Sequence, residues 1–477
     1  MKKLNEIYNC KYDTEITGIS VNSKDIKHGD IFVCIKGVTT DRHDYIDEAI
    51  KNGAVALITD RIVDTKVPYI IVDNPNDEVK KLSKLIYNNP EKKLKMIGVT
   101  GTDGKTSVST IVSLLIGQDK CGYIGTNGYA TSKFNRKTNN TTPSPDKLYK
   151  YLNDIYESKC NSVSMELSSE SMLFGRIDDL EFDVIGLTNI TSEHLNNHKT
   201  LKNYISCKKK ILQLTKKDGY CILNHDDTHY QECKNIIKSK VLTYGKEINN
   251  DLQIVDYILD RNGTQIKFKY QEKIYNIYSP LLGEFNVYNL ACALLICLSQ
   301  NYDINYLLHN VDKLHIDGRM EVIDEGQNFT LIVDYAHTEA GITKLLQFVK
   351  GIKHNRLIVV IGQAGERDQS KRRKVGKIVA VNADLAIFCY EDPRSENPHD
   401  IINMMTLDIR NFNNYKIIID RKEAINYAIN NACQKDIVLV LGKGNENYQK
   451  LKDKTIYFND IEECRESLNK LKVTMHS

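Results

Sequence analysis

Residues 98–107 read Gly-Val-Thr-Gly-Thr-Asp-Gly-Lys-Thr-Ser, and this stretch decides the fold. An apolar run, Met96 to Val99, feeds a glycine turn, and a helical pattern begins at Lys105-Thr106. Glycine lets backbone N–H groups come close to phosphate oxygens, and a helix N-terminus behind the turn adds positive potential. Lys105 can then reach β- and γ-phosphates, while the Thr106 hydroxyl can ligate Mg²⁺. The spacing is not the strict G-x-x-x-x-G-K-[ST] form, because Val99 stands five residues before Gly104. What stands here is T-G-T-x-G-K-T, a variant phosphate loop between a strand and a helix.

Outward from this loop, composition narrows the function classes. A chain of 477 residues is too long for one core and predicts roughly three domains. The balance of 65 basic and 62 acidic side chains gives no case for nucleic acid or a membrane surface as main partner. Twelve cysteines lack C-x-x-C pairs or Cys/His blocks, which argues against zinc and disulfide frameworks. Cys34, Cys292, Cys297 and Cys389 sit in apolar segments, as reduced core thiols do. The start, Met-Lys-Lys-Leu-Asn-Glu, has no signal-peptide core, and no apolar run approaches ~18 residues. A reducing cytoplasm is expected.

Apolar runs alternate with helical stretches, which predicts an α/β fold with parallel sheets. Up to about Lys92 the strands are expected at Asp30–Ile35, Ala54–Thr59 and Tyr69–Val72, with a helix from Tyr45 to Asn52. Met96–Thr100, Ser162–Leu167, Val184–Thr188 and Tyr220–Leu223 follow. Residues 251–278 change to short alternating strands with an Asn262-Gly263 hairpin turn, before a helix near Asn286–Leu298. After Arg319 a new series begins: Thr330–Asp334, Leu357–Ile361, Leu385–Cys389, Lys416–Ile419 and Ile437–Leu441. An open α/β sheet keeps its ligands beyond the carboxyl ends of its strands.

Several polar residues fall at those strand ends. Glu166 is placed to hold Mg²⁺, or to act as an ordinary surface acid. His194 and His198 are one helical turn apart, which suits a metal pair or a solvated helix equally. Lys208, in Cys-Lys-Lys-Lys-Ile-Leu, reads as a basic helix face with no assigned role. Asn286 and Asn289 could reach one adenine edge or cap a helix. Arg319 follows a tight turn and could reach a γ-phosphate, and Asp334 a ribose. Arg367 and Arg394 suit a bidentate grip on carboxylates, and Glu446 a substrate ammonium.

Taken in order from Ser23 to Lys450, these segments resemble the UDP-N-acetylmuramoyl-tripeptide synthetase branch of the Mur ligases. The resemblance implies three domains: residues 1–92 binding a UDP substrate, a central P-loop ATPase domain at 93–320, and a Rossmann-like amino-acid domain at 321–477. It implies ATP and Mg²⁺ as cofactors, and a substrate carboxylate converted to an acyl phosphate that an amine then displaces. By position, Ser23, Asn140, Thr141, Thr142, Ser168 and Arg176 would bind a UDP-muramoyl-dipeptide. Gly101, Thr102, Asp103, Gly104, Lys105, Thr106 and Ser107 would cradle ATP, with Asn286, Asn289, Arg319 and Asp334. Thr106, Glu166, His194 and Lys208 would hold metal, Lys208 as a carbamate; Lys105, Lys208, His194 and Arg319 form the catalytic set. Arg367, Glu391, Asp392, Pro393, Arg394, Gly442 and Glu446 would take the incoming amino acid.

Six positions depart from the family pattern: Asp103, Glu170, Phe174, Glu193, Asn196 and Asn445. Arg367 and Arg394 favour meso-diaminopimelate as the amine, because a second carboxylate gives them something to grip. Asp392 would instead suit the ammonium of L-lysine, and a paralogue with another acyl or amine substrate is a further alternative. Folylpolyglutamate synthetases are a rival branch, but the segment carrying Ser23 and the amino-acid-site arginines are not expected there. A GTPase switch would need an N-K-x-D element, which is absent from the sequence. A monomer in the cytoplasm is the expected state.

Overall fold

The computed structural model describes residues 2–37, 40–138, 140–191 and 198–476. The chain forms two compact units. One comprises Met1–Gly98, Ile116–Ile185 and Leu214–Gly219, the other Val99–Leu115, Gly186–Gln213 and Tyr220–Ser477.

In the first unit, Gly18–Ser20, Asp30–Val33, Ala56–Thr59 and Tyr69–Ile71 form a four-stranded parallel sheet. Three of the four are expected from sequence; Gly18–Ser20 has only three residues, too few for a visible pattern. Asn74 caps the helix Pro75–Ile86 by accepting the Asn76 N–H, and proline fits its first turn. That helix buries Val79, Leu82 and Ile86 against Ile19, Ile31 and Ile58 of the sheet. Further along, Cys121–Gly125 pairs in parallel with Ser162–Glu166, and Gly128–Thr131 and Phe134–Arg136 continue that sheet as antiparallel strands.

The helix Lys105–Ile116, in the second unit up to Leu115, follows the phosphate loop and begins where the sequence places it. Leu252–Asp260, Gly263–Tyr270 and Lys273–Ser279 form the expected antiparallel meander. Its first turn is Arg261-Asn262, one residue earlier than the Asn-Gly pattern suggests, because Asp260 pairs with Gly263. The Asp260 carboxylate accepts the Asn262 N–H and closes the turn without positive φ. Its second turn is Gln271-Glu272, and there both residues are left-handed, at φ 47° and 62°. Neither side chain favours that region, which costs about 1 kcal/mol or more per residue. Gln271→Asn with Glu272→Gly should therefore raise stability by about 1–2 kcal/mol. Urea unfolding that gives an unchanged midpoint would count against this account.

The last sheet has the order Glu321–Ile323, Thr330–Asp334, Ile437–Leu441, Leu357–Ile361, Leu385–Phe388, Tyr415–Ile417. All pairs are parallel except the first. Three of its strands have the bounds read from sequence, because each has an apolar run at its centre buried on both faces. Its carboxyl ends gather the loops at 335–338, 362–369, 389–396 and 442–447. The cysteines are free, ten of them buried, with Cys10 partly covered and Cys433 exposed. Among the described residues, no helix is long and apolar enough to cross a membrane.

Candidate active site

The phosphate loop is shaped by two glycines that nothing larger could replace. Gly101 has φ +146°, and a Cβ there would lie 1.8 Å from the Thr188 hydroxyl oxygen. Gly104 has φ +84°, and its Cβ would lie 2.4 Å from Asn289 Oδ1. The loop is strapped to Thr188–Thr191, a segment the sequence reading left without a role. Thr102 N–H donates to the Asn189 carbonyl (2.8 Å) and Asp103 N–H to Asn189 Oδ1 (3.1 Å). The Asp103 carbonyl accepts from Thr188 Oγ1 (2.6 Å) and Asn189 Nδ2 (3.1 Å). Lys105 folds back, donating to the carbonyls of Gly101 (3.0 Å) and Thr102 (2.7 Å). Thr106 and Ser107 are buried at the start of the helix.

Asp103, expected to add charge beside the phosphates, has a local partner. Thr338 Oγ1 donates to its carboxylate (3.4 Å) and also caps the helix Glu339–Gly351 by accepting the Gly341 N–H. The carboxylate thus sits near a helix N-terminus, where negative charge is favoured.

Lys208 is not the solvated residue its Lys-Lys-Lys run suggests. It is buried on the helix Leu201–Leu212, in one stripe with Tyr204, Ile211 and Leu212. Its Nζ donates to the Gly101 carbonyl (2.7 Å) and Thr100 Oγ1 (3.2 Å). The lysine therefore touches the phosphate loop directly. His194, Glu193 and Asn196 lie outside the described residues, while His198 is buried.

Arg319 occupies a turn held from both sides. Gly318 (φ +67°) and Met320 (φ +47°) are both left-handed. Glu321 Oε2 accepts the Gly318 N–H and Asp334 Oδ2 the Met320 N–H, each at 2.7 Å. The guanidinium stacks 4.3 Å from the Tyr335 ring and donates to Thr106 Oγ1 (3.1 Å). Asp334, read as a ribose contact, is buried with its other oxygen accepting the Ala336 N–H (2.7 Å). Burial raises its pKa above the ordinary carboxylate value. Asn286 and Asn289 are buried, Asn289 Nδ2 donating to Asn286 Oδ1 (3.0 Å) and Asn286 Nδ2 to the Leu282 carbonyl (2.8 Å).

At the carboxyl end of the last sheet, three acids surround one lysine that the sequence reading did not single out. Lys443 is fully buried and donates to Asp392 Oδ1 and Glu446 Oε2, both at 2.9 Å. Asp392 also accepts the Lys450 N–H (3.2 Å), so the acid considered for a substrate ammonium already holds one cation. Glu446 further accepts from Tyr335 (3.4 Å) and Tyr448 (3.2 Å) hydroxyls. Glu391 is buried beside Gly442, and its Oε2 has no hydrogen-bond partner among the described residues. Arg367 is exposed; Arg394 is half-buried, its Nε lacking a partner among the described residues. Pro393 is buried next to Arg394, and its carbonyl lies 2.0 Å from where a Cβ on Gly365 would stand.

Burial raises the Glu391 carboxyl to about 7, with Asp392 and Glu446 adding to the shift and Lys443 opposing it. The folded chain keeps this proton between pH 4.5 and about 7, where the unfolded chain has released it. Stability from this group is therefore lost as pH rises through that window. Glu391→Gln should remove that slope, so its advantage over wild type grows by about 3 kcal/mol from pH 4.5 to 7. Urea unfolding across that range would test it; parallel stability curves would refute the assignment.

In the first unit, Thr141, Thr142, Glu166, Ser168 and Arg176 come together. Thr142 Oγ1 donates to the Glu166 carbonyl (2.8 Å) and accepts the Ser168 N–H (3.0 Å), while Arg176 donates to the Thr142 carbonyl (3.0 Å). Glu166 accepts from Tyr123 (2.7 Å), the Thr126 N–H (2.8 Å) and Thr126 Oγ1 (3.2 Å). Thr126 Oγ1 lies 3.0 Å from Thr141 Oγ1. Asn140 is exposed beside this cluster, and Phe174 is exposed with its ring 5.6 Å from the Arg176 guanidinium. Ser23 stands apart from these bonds: it is buried, donating to Glu48 (2.5 Å).

Comparison with known proteins adds to this geometry. Three family models match in succession: the Mur ligase family catalytic domain over residues 15–96, the Mur ligase middle domain over 99–297 and the Mur ligase glutamate ligase domain over 318–444. The UDP-N-acetylmuramoyl-L-alanyl-D-glutamate--2,6-diaminopimelate ligase of Bacillus licheniformis is 34% identical over 98% of this chain and 97% of its own. Its namesake from Syntrophomonas wolfei is 33% identical over 97% and 96%. A solved structure of a ligase of that name covers 99% of both chains at 27% identity, with a TM-score of 0.64. MurF from Thermotoga maritima in complex with ADP shares the fold, with a TM-score of 0.71 at 19% identity over 96% and 97%. A T-G-T-x-G-K-T loop, a buried lysine beside it and full-length likeness to these enzymes agree: the chain belongs to the Mur ligase family.

Proposed function

We propose that this protein is the ATP-dependent amide ligase that joins meso-diaminopimelate to the D-glutamate γ-carboxylate of UDP-MurNAc-L-Ala-D-Glu, in cytoplasmic peptidoglycan precursor synthesis. The observation that carries the choice of amine is Arg394. Its buried Nε has no partner among the described residues, whereas Asp392 and Glu446 already accept from Lys443. A second carboxylate on the incoming amine fits a free guanidinium N–H; an extra ammonium finds those two acids engaged. We assign residues 1–92 to the UDP-substrate domain, 93–320 to the ATP domain and 321–477 to the amino-acid domain.

The reaction brings two anions together. The γ-carboxylate attacks the γ-phosphorus of ATP, the bond to the β-phosphate oxygen breaks, and an acyl phosphate and ADP result. Lys105 and Arg319 offset the charge that develops on the transferring group. The amine, having lost a proton, attacks the acyl carbon and expels inorganic phosphate. Glu391, with a free oxygen and a pKa near neutrality, suits the role of proton acceptor. Thr141, Thr142, Ser168 and Arg176 would orient the muramoyl-dipeptide.

Thr106, in one unit, and Glu166, in the other, each offer oxygen atoms of the kind a hard divalent cation takes. Lys208 as an ammonium is a donor only and does not fit; as a carbamate it would supply two oxygens. Bound Mg²⁺ would neutralise phosphate charge.

The test is to supply UDP-MurNAc-L-Ala-D-Glu, ATP and either meso-diaminopimelate or L-lysine, with ¹⁸O in the γ-carboxylate. Label should appear in inorganic phosphate, with meso-diaminopimelate the better amine; unlabelled phosphate would exclude the acyl phosphate route. Lys208→Ala should abolish turnover, and added short carboxylates should restore part of it. Activity retained without them would remove the carbamate assignment.

A further inference from the structure

Arg367 and Arg394 stand on different loops of the last sheet, and a grip on one carboxylate needs those loops in register. The segments Ala364–Arg367 and Asp392–Glu396 are interlocked by bonds that neither arginine makes. Gly365 N–H donates to the Asp392 carbonyl (2.8 Å), at a position too close to Pro393 for any side chain. Glu366 Oε1 accepts from Ser395 Oγ (2.5 Å) and the Ser395 N–H (3.2 Å). Glu396 returns the arrangement, its Oε1 accepting the Glu366 N–H. Beneath them, Arg372 is 1% exposed and bidentate on Glu396, at 2.7 and 3.0 Å, and also donates to the Ala364 carbonyl (3.0 Å). Arg372 is the middle residue of Lys371-Arg-Arg373, so the run reads as a solvated face although its centre is buried.

Two further features point the same way. Glu366 and Arg394 are both left-handed, each at φ 54°, a conformation that costs free energy and persists only when surrounding bonds hold it. Glu366 also lies 4.0 Å from the Arg394 guanidinium, close enough to orient it without closing on it.

We infer that Glu366, Ser395, Glu396 and Arg372 form a positioning device that fixes Arg394 relative to Arg367 and thereby selects an amine carrying a second carboxylate. This rests on the function proposed above. Glu366 and Ser395 are exposed, so the bond between them can be removed without opening the core.

The experiment compares wild type, Ser395→Ala, Glu366→Ala and Glu366→Gln in the full chain, measuring KM for each of the three substrates together with kcat. Ser395→Ala should raise KM for meso-diaminopimelate about tenfold, with KM for ATP and the UDP-muramoyl-dipeptide moving less than twofold. Glu366→Gln keeps an oxygen for Ser395, so it should restore most of the affinity that Glu366→Ala loses. In an Arg394→Ala background, Ser395→Ala should add nothing further. Equal KM rises for all three substrates, or no rise in Ser395→Ala although wild type uses meso-diaminopimelate, would overturn the device. A wild-type enzyme inactive with meso-diaminopimelate would overturn the functional reading itself, and the device with it.

Discussion

Replacing Arg319 by Ala is expected to lower kcat about a thousandfold while changing KM for ATP far less. A cation delivered to a transferring phosphoryl group contributes mainly in the transition state, and arginines in this role are worth 10³–10⁵ in kcat. The geometry makes Arg319 the candidate. Its turn is fixed by two left-handed residues and by the Glu321 and Asp334 carboxylates, and its guanidinium reaches Thr106 at the end of the phosphate loop. Arg319→Lys should recover little, because an ammonium on a flexible stem cannot reproduce the planar fork stacked on Tyr335. Steady-state kinetics at saturating substrates decides the matter, and a loss smaller than tenfold would remove Arg319 from the chemical step.

The largest effect on stability should come from a pair that touches no substrate. Arg421 and Asp460 are both completely buried and joined by two bonds of 2.8 and 2.6 Å. Arg421 also donates to the Leu441 carbonyl (2.9 Å) and to Cys389 Sγ (3.6 Å). These are the last residues before the Gly442 turn and just before the Tyr390-Glu391 loop. Asp460→Ala leaves a buried guanidinium without its counter-ion and should cost about 3–5 kcal/mol. Arg421→Met with Asp460→Leu removes both charges together and should cost much less. Denaturant unfolding of the two variants separates the outcomes; an equally large loss in both would mean that packing, not charge, dominates.

Where the sequence was legible, local pattern was sufficient. The phosphate loop announces itself because only glycine fits at 101 and 104. Buried parallel strands carry apolar runs at their centres, so Thr330–Asp334, Leu357–Ile361 and Ile437–Leu441 could be bounded to the residue. Lys208 was hidden by its neighbours, yet a signal existed. Tyr204, Lys208 and Ile211 follow the i, i+4, i+7 spacing of a single helix face, so an otherwise apolar stripe contained the lysine. Arg372 repeats the lesson, in one stripe with Val375 and Val379. Lys443 offered no such clue: its partners lie 51 residues upstream at Asp392 and three residues downstream at Glu446. Only tertiary folding brings Asp392 to it.

The distribution of sulfur has a practical corollary. With ten thiols in the interior and Cys10 partly shielded, a maleimide fluorophore should react first at Cys433. That position precedes the strand Ile437–Leu441, whose opposite end carries Gly442 and Lys443. A five-residue strand spans about 17 Å, so a dye at Cys433 would stand at the far end of that strand from Gly442 and Lys443. A fluorophore can thus be placed in the natural sequence at a known distance from Gly442, with no engineered labelling site.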